Sequence, residues 1–439
     1  MHRIFIAGLS ALLLCAQAPA QQTSEQLPEQ PQHVLSVLQA AQMLMTNDRL
    51  TEAKILLDQY LAAAPDDSQA QFLRGMVAVA EKDYDTAIQL FRRILVREPD
   101  AERVRLELGR AFFLKKDYDN ADRQFRFARA GAVNDTVKAN IDQYLGAINS
   151  LREWTFHFAF ALAPDTNQNA ATATSQIDIF GIPFLLDKSA RRQSGIGLSG
   201  QVGGEWSPLL DDNIKARIGA ELARTEYSGG DFDDMTLSGY AGPQFLFSNW
   251  NLSLLASGFE CWYGNQSYVS GMGGRVAAEY GITSDLMLAV SFGGQAVSNT
   301  FIPEQSGPLF STQFQGTYVL SPSSLFQLQA GFSRQDAEIA PYSYNGVVVG
   351  GGYQQDLPWG FTATVQPSYA ITRYDAPLPA FGKTRSDDTM VLGVSFLNRR
   401  WDYHGFTPRF SYVFTEQHSN IPLYSFTRSQ FQIGVTSLF

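Results

Sequence analysis

Side chains capable of covalent or acid–base chemistry are unevenly supplied. Asp and Glu together number 43, whereas histidines number 5 and are scattered, and cysteines number 2. Hydrolysis or group transfer needs a nucleophile, a base and an orienting group within hydrogen-bond reach. No Ser/His/Asp order, paired-acid motif or phosphate loop stands in a context that supports one. Gly350-Gly351-Gly352 sits in a strand pattern, where glycine serves bending or close packing rather than phosphate binding. No Cys/His spacing suits a metal ion. The chain is expected to be no enzyme and to need no cofactor. What remains are charges set in strand-like sequence, and a group of aromatic, Met and Arg residues in helical sequence. Their chemistry is that of binding and wall-building, and it depends on which elements position them.

The first residues read as a removable secretory signal spanning 1–20: Arg3, the apolar run Ile4 to Leu14, and the Ala18-Pro19-Ala20 cleavage site. Cys15 follows Leu12-Leu13-Leu14, whereas a lipidation signal wants a small residue directly before the cysteine. Without the signal, Cys261 stands alone, so no intramolecular disulfide can form and a barrel-wall role is expected for it. The formal charge of −10 argues against a nucleic-acid partner, which usually meets a basic stripe. No later apolar stretch reaches the roughly 20 residues of a spanning helix, so any membrane insertion is by strands.

After a 21–32 linker, residues 33–152 repeat with a step of 34: Ala53, Ala87 and Ala121; Leu57, Phe91 and Phe125; Gly75 and Gly109; Pro65 and Pro99. Lys82-Asp83-Tyr84-Asp85 and Lys116-Asp117-Tyr118-Asp119 fall in the same phase. That period, with small residues where paired helices touch and Pro after the second helix, is a tetratricopeptide pattern. Ile141, Tyr144, Leu145 and Ile148 then predict a terminal capping helix.

From residue 153 to 439 the period is two. Phe431, Ile433, Val435, Ser437 and Phe439 face one way, and Gln430, Gln432, Gly434, Thr436 and Leu438 the other. Connections alternate between long and short, the long ones including Pro164 to Gln193, Gly264 to Met272 and Asp375 to Asp388. Thirteen such connections predict a 14-stranded antiparallel transmembrane β-barrel, an α + β two-domain chain with its short turns and repeats in the periplasm of a Gram-negative outer membrane. Trp250, Trp262, Tyr268, Trp359, Tyr374, Trp401 and Tyr424 near strand ends are expected in its aromatic girdles, and Phe439 fits a C-terminal signal for barrel-assembly machinery.

Two groups of candidate residues follow. On the concave face made by the first helix of each repeat, Leu38, Gln69, Phe72, Met76, Arg103, Leu106, Arg110 and Phe113 are expected to meet cargo, the alternative being helix-packing core. In the barrel, the long Pro164 to Arg192 stretch is expected to be a plug or gate, or else an ordinary outer loop, with Asp165, Asn167 and Asn169 tying it to the wall. Arg428 is expected inside the lumen, whereas Arg373 falls on the outward side and needs an interface or a bulge, because a charge facing midplane hydrocarbon costs roughly 2–4 kcal/mol. Arg385, Asp387 and Asp388 mark a strand start.

Several phrases occur in a fixed order: Ala163-Pro164-Asp165-Thr166-Asn167-Gln168-Asn169, Gly181-Ile182-Pro183-Phe184, Ser194-Gly195-Ile196-Gly197-Leu198 and Trp262-Tyr263-Gly264. They continue with Gly360-Phe361-Thr362, Tyr374-Asp375, Arg385-Ser386-Asp387-Asp388, Gly405-Phe406-Thr407-Pro408 and Ser419-Asn420-Ile421-Pro422-Leu423-Tyr424. Behind a repeat domain, this set resembles the surface lipoprotein assembly modulator (Slam) family. The resemblance implies an outer-membrane translocon that delivers surface lipoproteins, or related secreted haem- or metal-scavenging proteins, from periplasm to surface. It also implies membrane lipid and protein cargo as partners, with a periplasmic holding chaperone and barrel-assembly machinery as further ones. An exopolysaccharide-export porin also joins such repeats to a barrel, but usually with longer arrays and a charged lumen track. Here the lumen positions read as Gln, Thr, Ser and Gly. A small-molecule porin with an accessory scaffold, or a hydrolase site assembled from distant strands, are further alternatives.

Overall fold

The computed structural model describes residues 32–132, 134–401 and 406–437. The expected signal and its cleavage site, Cys15, the linker before Gln32, and Phe439 lie outside the described residues. Seven helices come first: α1 (Gln32–Thr46), α2 (Leu50–Ala63), α3 (Ser68–Ala80), α4 (Tyr84–Arg97), α5 (Glu102–Lys115), α6 (Tyr118–Gly131) and α7 (Asp135–Leu151). Their boundaries repeat chemically. Asp83 and Asp117 cap α4 and α6 by accepting the N–H of Thr86 and Asn120, while Asp48, Lys82 and Lys116, each 34 apart, take the left-handed conformation that turns one helix into the next.

The small residues act as sockets. A Cβ on Gly75 would lie 2.6 Å from the Phe91 ring and one on Gly109 3.0 Å from Phe125, so each glycine lets a phenylalanine of the following helix seat fully. Phe91, Phe125, Ile94, Leu108, Ile141 and Ile148 form one buried cluster. Leu38, Ala53, Leu57, Leu73 and Val77 form a second around α1 to α3.

The remaining chain is strands: β1 (Trp154–Asp165), β2 (Gln176–Ile179), β3 (Ile182–Leu185), β4 (Gly195–Trp206), β5 (Leu209–Asp211) and β6 (Ile214–Tyr227). Next come β7 (Asp234–Leu246), β8 (Trp250–Tyr263), β9 (Gln266–Gly281), β10 (Leu286–Asn299), β11 (Gly307–Ser321) and β12 (Ser324–Gln335). The last are β13 (Tyr344–Asp356), β14 (Phe361–Leu378), β15 (Lys383–Asn398), β16 (Thr407–Ser419) and β17 (Phe426–Thr436). Fourteen of them close an antiparallel wall, β1 pairing with both β4 and β17, and β4 with β6. The short β5 lies in the β4–β6 turn, and β2 and β3 form a separate hairpin.

The outward face is apolar: Phe431, Ile433 and Val435 are exposed on β17, and Phe156, Phe158, Phe160 and Leu162 on β1. Among the described residues no helix is long and apolar enough to cross a membrane. The connections at the two rims differ from expectation in one respect. Gly264 and Asn265 alone join β8 to β9, both at positive φ, and only residues 379–382 join β14 to β15. The strands run past the apolar belt into water, where alternation lapses and a paired strand reads as polar loop.

Candidate functional site

The face expected to be concave carries side chains of α3 and α5, with Tyr144 of α7 against them. Phe72, Met76, Leu106 and Phe113 lie there half-buried against the core cluster, and Gln69, Arg103 and Arg110 are exposed beside them. The aromatics support one another. Phe113 meets Tyr144 at 5.1 Å and Tyr118 at 5.8 Å, and the Arg103 guanidinium sits 4.9 Å above the Phe72 ring. On α5 Glu107 is largely buried; its Oε2 makes no hydrogen bond and lies 3.7 Å from Arg110 Nη1, and burial holds its carboxyl above the ordinary value. Leu38 does not join them: it is buried with Ala41, Ala53 and Leu57, because α2 and α3 both close over that side of α1.

The opposite side of the stack is fixed to the short-turn rim of the barrel. Arg105 Nη2 pairs with Asp356 Oδ2 at 2.8 Å, both side chains almost wholly buried, and Arg399 Nη1 reaches the same oxygen at 3.1 Å. Thr362 Oγ1 donates to the other Asp356 oxygen at 2.7 Å. Arg123 completes the cluster; burial lowers it to about 10, so it stays charged at neutral pH. Two further turns join the contact: in the β11–β12 turn Ser323 Oγ donates to Asp100 at 2.6 Å, and in the β9–β10 turn Asp285 pairs with Arg129 at 2.6 Å while the Ser284 carbonyl accepts from Arg126 at 3.2 Å.

This contact escaped the sequence reading, although the repeat carries its trace. Gln71 and Arg105 occupy the same position 34 residues apart, and both donate to the proline carbonyl of their own repeat, Gln71 to Pro65 at 2.6 Å and Arg105 to Pro99 at 3.0 Å. The exchange of Gln for Arg adds the donors that reach the barrel. A buried cation at a position filled by a neutral amide one repeat earlier is the signal.

Inside the wall, Arg428 on β17 meets Asp165 on β1 at 2.6 Å, and Tyr227 on β6 donates to the same carboxylate at 3.0 Å. Asn167 Nδ2 donates to the Ala171 and Thr427 carbonyls, and Asn169 Nδ2 to those of Ser189 and Arg191. All three residues thus hold the base of the long segment. Its apolar centre reaches the β14–β15 connection at the outer rim. The β2–β3 hairpin turns through Phe180 and Gly181, both at positive φ, and the Phe180 N–H donates to the Ala380 carbonyl at 2.7 Å in the β14–β15 connection. Phe180, Ile182, Phe184 and Leu185 are exposed there, so the segment is a flap at the outer mouth.

Nor is the lumen uniformly neutral. Beside the Gln315, Gln327, Gln329 and Gln366 half lies a charged half, where a cavity of about 360 Å³ is lined by His157, Glu205, Arg217, Glu221, Tyr240 and Glu279. Arg217 pairs with Glu205 at 2.7 Å, and Tyr240 donates to the same carboxylate. Tyr374 and Tyr424, expected in a girdle, instead flank Arg385 at 4.8 and 3.5 Å, and Arg385 pairs with Asp387 at 2.7 Å. Arg373 does face outward; it pairs with Asp388 at 2.8 Å close to the register shift after it, near the outer rim.

A family model described as surface lipoprotein assembly modifier matches residues 154–439, and one described as the N-terminal TPR repeats of that modifier matches residues 20–125. The chain belongs to the surface lipoprotein assembly modifier family. A protein of that name from Pasteurella multocida (strain Pm70) is 20% identical, with 95% of this chain and 85% of that protein covered. Surface lipoprotein assembly modifier 1 of Haemophilus influenzae (strain ATCC 51907 / DSM 11121 / KW20 / Rd) is 22% identical over 72% of this chain and 66% of its own length. Among solved structures the barrel is similar to OmpT of Vibrio cholerae, with a TM-score of 0.37 and 8% identity, covering 64% of this chain and 96% of that one. As a closed wall with an apolar outer face, the family's barrel lies in the outer membrane, with the repeats on its periplasmic rim.

Proposed function

We propose that the chain is a non-enzymatic translocon that carries lipoproteins, or related secreted haem- or metal-scavenging proteins, from the periplasm to the cell surface. The observation that carries this reading is the pairing of an adaptable apolar face, Phe72, Met76, Leu106 and Phe113, with a rigid weld of the same stack to the barrel rim through Arg105 and Asp356. Rings and a thioether grip varied unfolded segments without demanding one shape. The exposed Arg103 and Arg110 supply donors at the edge of that face. Asp165, Asn167, Asn169 and Arg428 hold the flap that cargo passes at the outer mouth. A holding chaperone delivers cargo to the concave face, and barrel-assembly machinery inserts the wall. The periplasm supplies no nucleotide triphosphate, so folding or capture at the surface drives the movement. The paired, mixed-sign lumen charges of Glu205 and Arg217 disfavour an exopolysaccharide track.

The test is co-expression with a surface lipoprotein of the same cell as reporter, followed by protease shaving of whole cells. Phe72→Ala with Phe113→Ala is expected to cut surface exposure roughly tenfold, about what 1.4 kcal/mol of lost binding gives, while the barrel still inserts. Exposure that is unchanged when the whole chain is removed would sink the translocon reading.

A further inference from the structure

The wall is not equally closed all round. β1 pairs with β4 along twelve residues, from Trp154–Trp206 to Asp165–Gly195, and β17 pairs with β16 along eleven. Between β1 and β17, among the described residues, only five Cα pairs form, Ala159–Thr436 to Leu162–Ile433 and then Asp165–Gln430. Backbone direction shows why the run is broken. The Ser437 N–H donates to the Phe158 carbonyl and the Thr166 N–H to the Ser429 carbonyl, so even-numbered residues of β1 turn their main-chain groups toward β17. Pro164 is one of them and has no N–H to give. Prolines also fall where the β7–β8 and β13–β14 pairings lapse, at Pro243 and near Pro367, yet eleven pairs remain at each of those seams.

Side chains replace the missing ladder at the outer end. Asp165 and Arg428 reach across from the two strands, Gln430 Nε2 donates to the same carboxylate at 3.4 Å, and Thr166 Oγ1 accepts the Ser429 N–H at 2.9 Å. The lumen side of this seam is therefore ionic. Its outer side is apolar, with Phe160, Leu162, Phe431, Ile433 and Val435 exposed toward the bilayer. A seam with few main-chain bonds, an ionic latch inside and hydrocarbon-compatible residues outside can part locally without unpairing the rest of the wall.

We infer that the β1–β17 seam is where the acyl chains of a lipoprotein anchor pass from the lumen to the bilayer, with Asp165, Arg428 and Tyr227 as its latch. The inference rests on the translocon reading and names the route for the lipid part of the cargo. Acyl chains gain nothing in a lumen lined by Gln, Glu and Arg, and the seam offers them continuous apolar contact.

The test locks the seam covalently. Ala159 and Thr436 are register partners, so Ala159→Cys with Thr436→Cys in a Cys261→Ala background can be closed by oxidation and reopened by reductant in the same molecules. A control lock, Thr364→Cys with Ser395→Cys, spans β14–β15. The probes are the surface lipoprotein used as reporter above and the same protein on an ordinary cleaved signal, which receives no acyl chains. Oxidation of the first lock is expected to lower surface exposure of the acylated probe at least tenfold, to spare the unacylated one, and to be reversed by reductant, with the control lock without effect. Undiminished exposure of the acylated probe would overturn the seam while leaving the translocon reading standing. Loss of both probes would overturn it too, by showing that the lock blocks the lumen rather than a lipid path. If removing the whole chain spares both probes, the translocon reading itself fails.

Discussion

Two charged residues of α5, Arg105 and Glu107, are buried in different ways. On the docked side, Arg105 and Asp356 are almost wholly buried yet matched, with Thr362, Arg399, Gln124 and the Pro99 carbonyl as further partners. On the other face of α5, Glu107 is largely buried with one oxygen unbonded. A satisfied buried pair fixes an orientation, whereas an unsatisfied group raises the energy of the empty state and is relieved when a partner arrives. The same helix, α5, carries both, two residues apart and on opposite faces. That difference supports the proposed division into an anchoring side and a cargo-meeting side.

The largest effect is expected from breaking the anchor. Asp356→Ala strands Arg105 and Arg399 in the interface, and removal of one partner from a buried pair typically costs about 3–5 kcal/mol. The barrel keeps its ladder, so the loss is expected as detachment of the helices. Limited proteolysis between Leu151 and Trp154 should accelerate strongly, while heat-modifiable migration of the barrel is retained. Equal protection of α6 and α7 in the variant and the parent would show that the other rim contacts hold the stack alone.

A smaller effect separates two glycines of the repeat domain. Gly75→Ala drives a Cβ to 2.6 Å from the Phe91 ring in a packed core, an overpacking expected to cost about 1–3 kcal/mol. Gly146→Ala on α7 meets nothing within 4 Å and should gain roughly 0.5–1 kcal/mol from helix propensity. Chemical unfolding followed by the helical signal reads both. Opposite signs confirm that the 34-residue step records sockets rather than turns, and a shared sign would remove that distinction.

The architecture was legible because both halves are periodic. Gly75 with Phe91 and Gly109 with Phe125 state the helix pairing in the sequence itself, and Phe431 to Val435 state the face of a strand. Loop lengths were less legible: Gln266 and Ser267 are polar, yet they pair with Tyr263 and Trp262 in a ladder above the membrane. A plug and an outer loop read alike for a related reason, since Ile182 and Phe184 are as apolar as lumen-filling residues would be, and the bond from Phe180 to Ala380 is what ties the hairpin to the β14–β15 connection. The anchor was hidden because its partners are 251 residues apart. No local pattern joins Arg105 to Asp356.

The finest test of the comparison concerns Glu107. Burial raises its pKa above the unfolded value even with Arg110 and Arg103 nearby, so the folded chain binds the proton more tightly than the unfolded chain. Ionisation therefore costs stability. The cost is absent below the ordinary carboxylate range, grows as pH rises toward the folded value, and is fully present above it. Glu107→Gln should accordingly stabilise the helices at pH 7 by about 1 kcal/mol, the lower end of the cost of a buried unsatisfied group, and give no gain near pH 4, where both side chains are largely neutral. Urea midpoints at the two pH values measure the difference. A loss of stability at pH 7 would mean that attraction to Arg110 outweighs burial, making the concave charge another structural pair and leaving Phe72, Met76 and Phe113 to account for binding alone.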